Sequence, residues 1–226
     1  MKEYQVAHSL FITLEGVDAA GKSSHVEAIC EHIQNRTGRE VIMTREPGGT
    51  PLAEQLRDLV KNVDMSVETE TLLLNAGRQD HIDRIIKPAL QDNKIVVCDR
   101  FTDSTYAYQG GAKGLDKDKI NALKDWVQGN LEPELTLYFD VPLEVSKSRR
   151  DSRGEADDRL EQAMDANFTS LRQAYLQLAD KNPQRIVIID GTPDITQVRQ
   201  NVLQAVDRFL LNQSMTPEKS APKRHP

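Results

Sequence analysis

Short apolar runs alternate along this chain with longer stretches in which apolar residues return every three or four positions. The runs at Leu10–Glu15, Glu40–Thr44, Lys94–Cys98, Leu135–Asp140 and Arg185–Ile189 are rich in β-branched residues and lack strict alternation, as strands covered on both faces do. Helical spacing predicts helices at Leu52–Val60, Glu68–Leu90, Lys117–Val127, Leu143–Arg150, Arg159–Asp180 and Ile195–Leu211. A first helix is expected from about Lys22, with Val26, Ile29, Cys30 and Ile33 on one face and Gly38 as its C-cap. Strands and helices taken in turn read as βαβ units, hence an α/β fold with a mostly parallel sheet of about five strands flanked by helices. Residues 1–9 read as a loose leading segment, 10–211 as one domain, and 212–226, polar and proline-rich, as a frayed tail.

Composition narrows the class without choosing a function. A chain of 226 residues, 38% hydrophobic and 28% charged, can bury a substantial core and reads as a soluble globular protein. No run approaches the roughly 18 apolar residues of a membrane span, and Met1–Ser9 lacks the apolar core of an export signal. Cys30 and Cys98 stand far apart in apolar stretches and read as free thiols of a reducing cytoplasm. The net charge of −6 argues against a nucleic-acid partner but not against a small phosphorylated ligand, which needs only a few convergent cations.

One segment carries specific chemistry. Gly16-Val17-Asp18-Ala19-Ala20-Gly21-Lys22-Ser23 fits the phosphate-binding pattern GxxxxGK[ST], followed by Ser24, with an apolar strand before it and an amphipathic helix after it. Glycines let backbone N–H groups turn inward around phosphate oxygens, and the helix aims its positive end at the same anion. Lys22 is placed to reach the β and γ phosphates of ATP, and Ser23 to offer a hydroxyl to Mg²⁺. A GTPase is disfavoured, because Asn93-Lys94 runs into Ile95-Val96 where a base-reading aspartate would be needed.

Arginines at later strand ends add a second anion site. Thr44-Arg45-Glu46-Pro47-Gly48-Gly49-Thr50 follows the second strand, and Asp99-Arg100-Phe101 closes the third. In an open α/β sheet the carboxyl ends of the strands face the ligand crevice, so Arg45 and Arg100 are expected beside the phosphate loop. Gly77-Arg78 lies within a long helical stretch.

Together with Ser104-Thr105-Tyr106-Ala107-Tyr108-Gln109-Gly110-Gly111, Leu135–Asp140 and Asp158-Arg159-Leu160-Glu161, these segments resemble the thymidylate kinase family, in order and spacing, from about Phe11 to about Gly191. The resemblance implies a P-loop fold with a mobile lid, transfer of the ATP γ-phosphoryl group to dTMP with Mg²⁺, and a homodimer. It implies that Arg100 and Arg45, with Arg57 nearby, hold the acceptor phosphate. Arg78, Thr105 and Gln109 would read the thymine edge, Tyr108 would crowd the sugar 2′ position, and Glu46, Asp99 and Ser104 would complete the acceptor side. Asp18 would engage the acceptor sugar or the metal shell, and Asp18, Asp99 and Glu161 join Ser23 as metal candidates.

Some members carry an arginine inside the phosphate loop; here Val17-Asp18-Ala19-Ala20 holds no cation. The polar stretch from Ser148 to Glu155, within a lid at about 148–158, offers Arg153 as the transition-state cation and Arg149 as a contact to adenine or phosphates. Leu74 stands where members commonly stack an aromatic ring on thymine. Three readings stand open: a base held mainly by hydrogen bonds, another aromatic such as Phe101 in the ring's place, or a relaxed acceptor preference. Two other readings stand beside dTMP kinase: a P-loop kinase of another nucleoside or monophosphate, and a nucleotide-binding regulator without turnover. His25 and His81 are expected to pack structurally or face solvent.

Overall fold

A computed structural model describes Tyr4, residues 8–152 and residues 165–215. Five parallel strands, β1 (Phe11–Gly16), β2 (Val41–Arg45), β3 (Ile95–Asp99), β4 (Leu135–Asp140) and β5 (Ile186–Asp190), stand in the order β2-β3-β1-β4-β5. Each begins within a residue of its expected start. β1 is buried along its whole length, whereas the edge strand β2 is half-exposed. Leu10, Ile12 and Leu14 enter one apolar cluster and Phe11 another, so the sheet is covered on both faces.

Register decides what the carboxyl edge can do. Leu14 pairs with Asp99, Arg45 with the same Asp99, and Gly16 with Phe139. The end of β1, from which the phosphate loop springs, therefore shares an edge with both arginine-bearing strand ends.

Local signals set the helix ends. After the loop comes a single 3-10 turn at Lys22–Ser24, and α1 (Val26–Thr37) starts four residues later than expected, since His25 leaves helical geometry. Gly38 stops α1 in the left-handed conformation, φ 68°, as its lack of a Cβ allows. α2 (Pro51–Asn62) opens on Thr50, whose side chain accepts from Ala53, with proline in its first turn. α3 (Val67–His81) opens on Ser66 in the same way.

The long helix expected over Glu68–Leu90 is interrupted. α3 passes into a π-helical turn at Ile82–Ile86 before α4 (Lys87–Gln91). A second helical segment, α5 (Thr102–Thr105) continuing as a π-helical stretch Tyr106–Ala112, occupies what reads in sequence as a loop. Its threonines and glycines disfavour helix, but it is pressed between the sheet and a later helix, and packing overrides propensity. α6 (Lys117–Val127) matches its expected span, and α7 (Leu143–Asp151) matches the helix expected over Leu143–Arg150, so the expected lid stretch from Ser148 begins inside its last turn. α8 (Phe168–Lys181) accounts for the later part of the helix expected over Arg159–Asp180. α9 (Ile195–Met215) runs four residues beyond its expected end at Leu211. No helix among the described residues is long and apolar enough to cross a membrane.

Gly111 marks the tightest contact of the unexpected helix. A Cβ there would lie 2.6 Å from the Ala174 Cβ and 3.2 Å from the Ser170 carbonyl of α8. Gly111→Ala should push the two segments apart and cost about 1–3 kcal/mol, lowering Tm by roughly 2–12 °C in a chain of this size. A melting curve unchanged within 1 °C, by calorimetry, would show that α8 yields freely.

Candidate active site

The phosphate loop, residues 16–23, joins β1 to the turn before α1 and is held open from below. Gly16 has φ 141°, and a Cβ on it would sit 2.5 Å from the Phe139 carbonyl, so only glycine fits against β4. Ala19 and Gly21 are also left-handed, at φ 57° and 107°, as successive inward N–H groups require. Lys22 is buried and its Nζ donates to the Gly16 and Val17 carbonyls at 3.0 Å each. Burial, and then the nearby Arg100 guanidinium, push its ammonium down to about 8.

Arg100 leaves β3 with φ 70°, an uncommon conformation for a residue with a large side chain. Such backbone is retained where surrounding contacts impose it. Here the turn sends the guanidinium back over the loop, with Nη1 2.7 Å from the Gly16 carbonyl and Nη2 2.7 Å from Asp18 Oδ1. Its charge also lies 5.1 Å over the Tyr108 ring. Arg45 is exposed and bound to Glu54 at 2.8 Å, and Arg57 donates to the Pro47 carbonyl at 2.8 Å. Burial lowers the Arg57 pKa, and the neighbouring Arg45 and Arg100 charges lower it further. Three guanidinium groups close enough to repel one another make an anion site.

A residue not anticipated from sequence anchors this turn. Glu15, fully buried at the end of β1, accepts from the Phe101 and Ser104 N–H groups at 2.7 and 3.3 Å, from the Ser104 hydroxyl at 2.6 Å and from the Tyr175 hydroxyl at 2.8 Å. Burial, aided by Asp103, pushes its carboxyl up to about 7 against the pull of these donors. A charged residue closing an otherwise apolar strand is the signal that could have found it.

The base-reading candidates come together beside α3. Arg78 donates from Nε to Glu46 Oε2 at 2.7 Å and from Nη1 to Thr105 Oγ1 at 3.1 Å, and packs over Phe101 with its charge 5.1 Å from the ring centre. His81, wholly buried, links Glu46 Oε1 at 2.9 Å to the Thr44 hydroxyl at 2.7 Å. Gln109 donates to Glu70 at 2.8 Å. Leu74, partly buried, lies on α3 one turn before Arg78, while Leu72 on another side of the helix is exposed.

Arg149 crosses the loop from the other side. Its Nη2 donates to the Gly191 carbonyl at 2.7 Å and its Nη1 to the Ala20 carbonyl at 3.3 Å. It lines a cavity of about 450 Å³ with Gly21, Ser24, His25, Pro193 and Ile195, a size that suits a nucleobase with its sugar. Gly191 and Pro193 were not among the expected residues; a Gly-Thr-Pro turn after a strand is their only trace in sequence. His25, buried, stacks on Phe139 with centroids 5.9 Å apart. Arg150 is structural, bound to Asp165 at 2.6 Å and to Ser146 at 2.9 Å. Arg153 and Glu161 lie outside the described residues.

The thymidylate kinase family model matches residues 14–202, most of the chain. The chain belongs to the thymidylate kinase family. It is 47% identical over 197 residues to thymidylate kinase of Burkholderia vietnamiensis (strain G4 / LMG 22486), covering 86% of this chain and 95% of that one. It is 46% identical over 200 residues to the Burkholderia thailandensis enzyme, covering 87% and 97%. The crystal structure of thymidylate kinase from Ehrlichia chaffeensis superposes with a TM-score of 0.70 at 33% identity, covering 88% of this chain and 99% of that one. The shared fold extends over the five-stranded parallel sheet on which the family's loop and arginines stand.

The depressed Lys22 gives the site a pH signature. Nucleotide phosphates bind the charged ammonium, so affinity for an unhydrolysable ATP analogue should be flat below pH 8 and fall about tenfold per unit above it. Stability of the free protein moves the other way. The unfolded chain keeps the proton to about 10.5, so the cost of burying the charge is present in full below pH 8 and relieved between 8 and 10.5. Titration calorimetry from pH 7 to 9.5, with Lys22→Met as the control that removes the slope, tests this; constant affinity up to pH 9.5 would contradict it.

Proposed function

We infer that the protein phosphorylates dTMP with ATP, giving dTDP and ADP and so feeding dTTP synthesis. The observation that carries this reading is the Arg100 guanidinium, which stems from a different strand yet rests on the Gly16 carbonyl and Asp18 of the phosphate loop. A donor phosphate cradled by loop N–H groups and an acceptor phosphate held by Arg100, Arg45 and Arg57 would then meet across a few ångströms.

In that arrangement an oxygen of the dTMP phosphate attacks the γ-phosphorus, the bond to the β–γ bridging oxygen breaks, and ADP leaves. The acceptor is a dianion near neutral pH and needs no general base, so catalysis rests on alignment and on neutralising charge. Lys22 follows the β and γ oxygens; Arg100 holds the acceptor in line and screens its charge from the incoming donor. Asp18 keeps Arg100 over the loop and stands where the acceptor sugar would lie. Tyr108 packs under Arg100 on the same side.

The donor set fits Mg²⁺ held mostly by phosphate. The Ser23 hydroxyl is exposed at the loop mouth, and Asp99 has a buried Oδ1 without a hydrogen-bond partner among the described residues. No three carboxylates or imidazoles among those residues gather into a metal site of their own; Mg²⁺ commonly takes one or two protein ligands and completes its shell with phosphate and water. When bound with ATP, the ion neutralises charge on the β and γ phosphates.

The decisive experiment couples ADP release to acceptor across dTMP, dUMP, dCMP, dGMP and thymidine. Turnover should depend on the acceptor and be fastest by kcat/KM for dTMP; equal rates with and without dTMP would end the reading. Leu74→Phe supplies an aromatic ring one helical turn before Arg78. It should tighten dTMP binding by about 1–3 kcal/mol in a calorimetric titration, and weaker binding would place Leu74 away from the base.

A further inference from the structure

Glu70, Leu74 and Arg78 follow one another at intervals of four residues and so lie on one face of α3. The helical segment from Thr102 to Ala112 runs opposite them in the reverse sense. Thr105 meets Arg78 at 3.1 Å, and one turn later Gln109 meets Glu70 at 2.8 Å. Two polar rungs thus stand with Leu74 between them. Glu70 is 2% exposed, and Lys113 reaches both of its oxygens, at 2.5 and 2.6 Å.

The direction of the Gln109 amide follows from chemistry. A carboxylate paired with an ammonium only accepts hydrogen bonds, so it is the amide nitrogen of Gln109 that must face Glu70. The carbonyl Oε1 is left over, and it makes no hydrogen bond among the described residues. Thymine and uracil carry N–H at N3; cytosine carries a lone pair there. An amide presenting its oxygen accepts from the first two and repels the third. Arg78, a donor in every state, selects in the same sense at the adjacent carbonyl of the base.

We propose that Glu70, secured by Lys113, is the positioning residue for acceptor-base specificity: it holds the Gln109 amide with its carbonyl turned to the base, selecting a pyrimidine with a protonated N3. The proposal rests on the dTMP kinase reading of the site. The competing account treats Glu70–Lys113 as a buried ion pair that only ties α3 to the opposite helix. That account predicts lost stability with equal effects on both substrates.

Steady-state kinetics of the full-length protein separate the two. Glu70→Gln, whose side chain can donate or accept, frees the Gln109 amide to turn. It should raise KM for dTMP about tenfold, leave KM for ATP within about twofold, and shrink the dTMP-over-dCMP preference in kcat/KM about fivefold. In a Gln109→Ala background the same substitution should change KM for dTMP less than about twofold, because its effect travels through that amide. Effects that add in the double variant, or KM values that rise together for ATP and dTMP, would overturn the proposal. If Glu70→Gln melts below the assay temperature, Lys113→Met loosens the same carboxylate from the solvent side, with a rise of about threefold expected in the dTMP KM alone. An active parent enzyme with an unaffected dTMP KM in these variants sinks this inference only. A parent enzyme that turns over no dTMP sinks the kinase reading and the inference with it.

Discussion

The site depends on one buried carboxylate. Glu15 ends the central strand under the phosphate loop and gathers donors from Phe101, Ser104 and Tyr175. Those contacts fix the turn that follows β3, and that turn gives Arg100 its left-handed backbone and its direction. The energetic logic is uneven. Each hydrogen bond is worth about 1–3 kcal/mol to a charged partner, but leaving a buried group unpaired costs at least as much. Replacing Glu15 would leave the Phe101 N–H without its acceptor and strip the Ser104 and Tyr175 hydroxyls of their shared one, leaving those two hydroxyls only each other at 3.0 Å. The phosphate-loop segment and the Arg100 guanidinium that rests on it are therefore not independent features that happen to meet. They are two ends of a single polar knot inserted into an otherwise apolar sheet edge.

That knot also explains how a chain with net charge −6 concentrates positive potential where it is needed. Burial, and then the Arg100 charge, lowers the Lys22 pKa, and burial with the Arg45 and Arg100 charges lowers that of Arg57, while Asp18 and Glu54 offset part of this. Holding like charges together stores unfavourable energy that an anion releases, so preorganisation and affinity share one origin. The overall charge is a statement about the surface; the function resides in a local excess.

Legibility in the sequence followed the same division. The loop is contiguous, and its chemistry demands particular residue types at fixed spacing, so residues 16–23 could be read directly. Strand ends were readable because apolar runs stop where the sheet stops, which placed Arg45 and Arg100 on the crevice side. Glu70 and Lys113 were invisible for a physical reason. Each is a charged residue defined by partners far along the chain, and nothing in its neighbours distinguishes it from a solvated charge. The helix at 102–112 was missed because its own propensity argues against it and only burial beneath α8 supports it. The chain also interrupts a long helix with a π turn just past Arg78 and His81, a device that re-aims side chains and that no periodicity announces.

On the dTMP kinase reading, phosphate recognition and base recognition are built by different means in this molecule. The first would use backbone amides and strand-end cations on the sheet edge, where positions are set by register and by the buried Glu15 carboxylate. The second would use the paired faces of α3 and the segment 102–112, the latter π-helical from Tyr106, where the Glu70 carboxylate holds the Gln109 amide. Chemistry that consists of aligning two phosphates tolerates little error along the line of attack. A base only has to be accepted or refused, and a pair of helices resting on the sheet can refine that choice without moving the reacting atoms. On that reading acceptor selectivity is set on the helix pair, where Leu74 stands in place of the expected aromatic ring, while the line of attack rests on the turn that Glu15 holds and on Arg100.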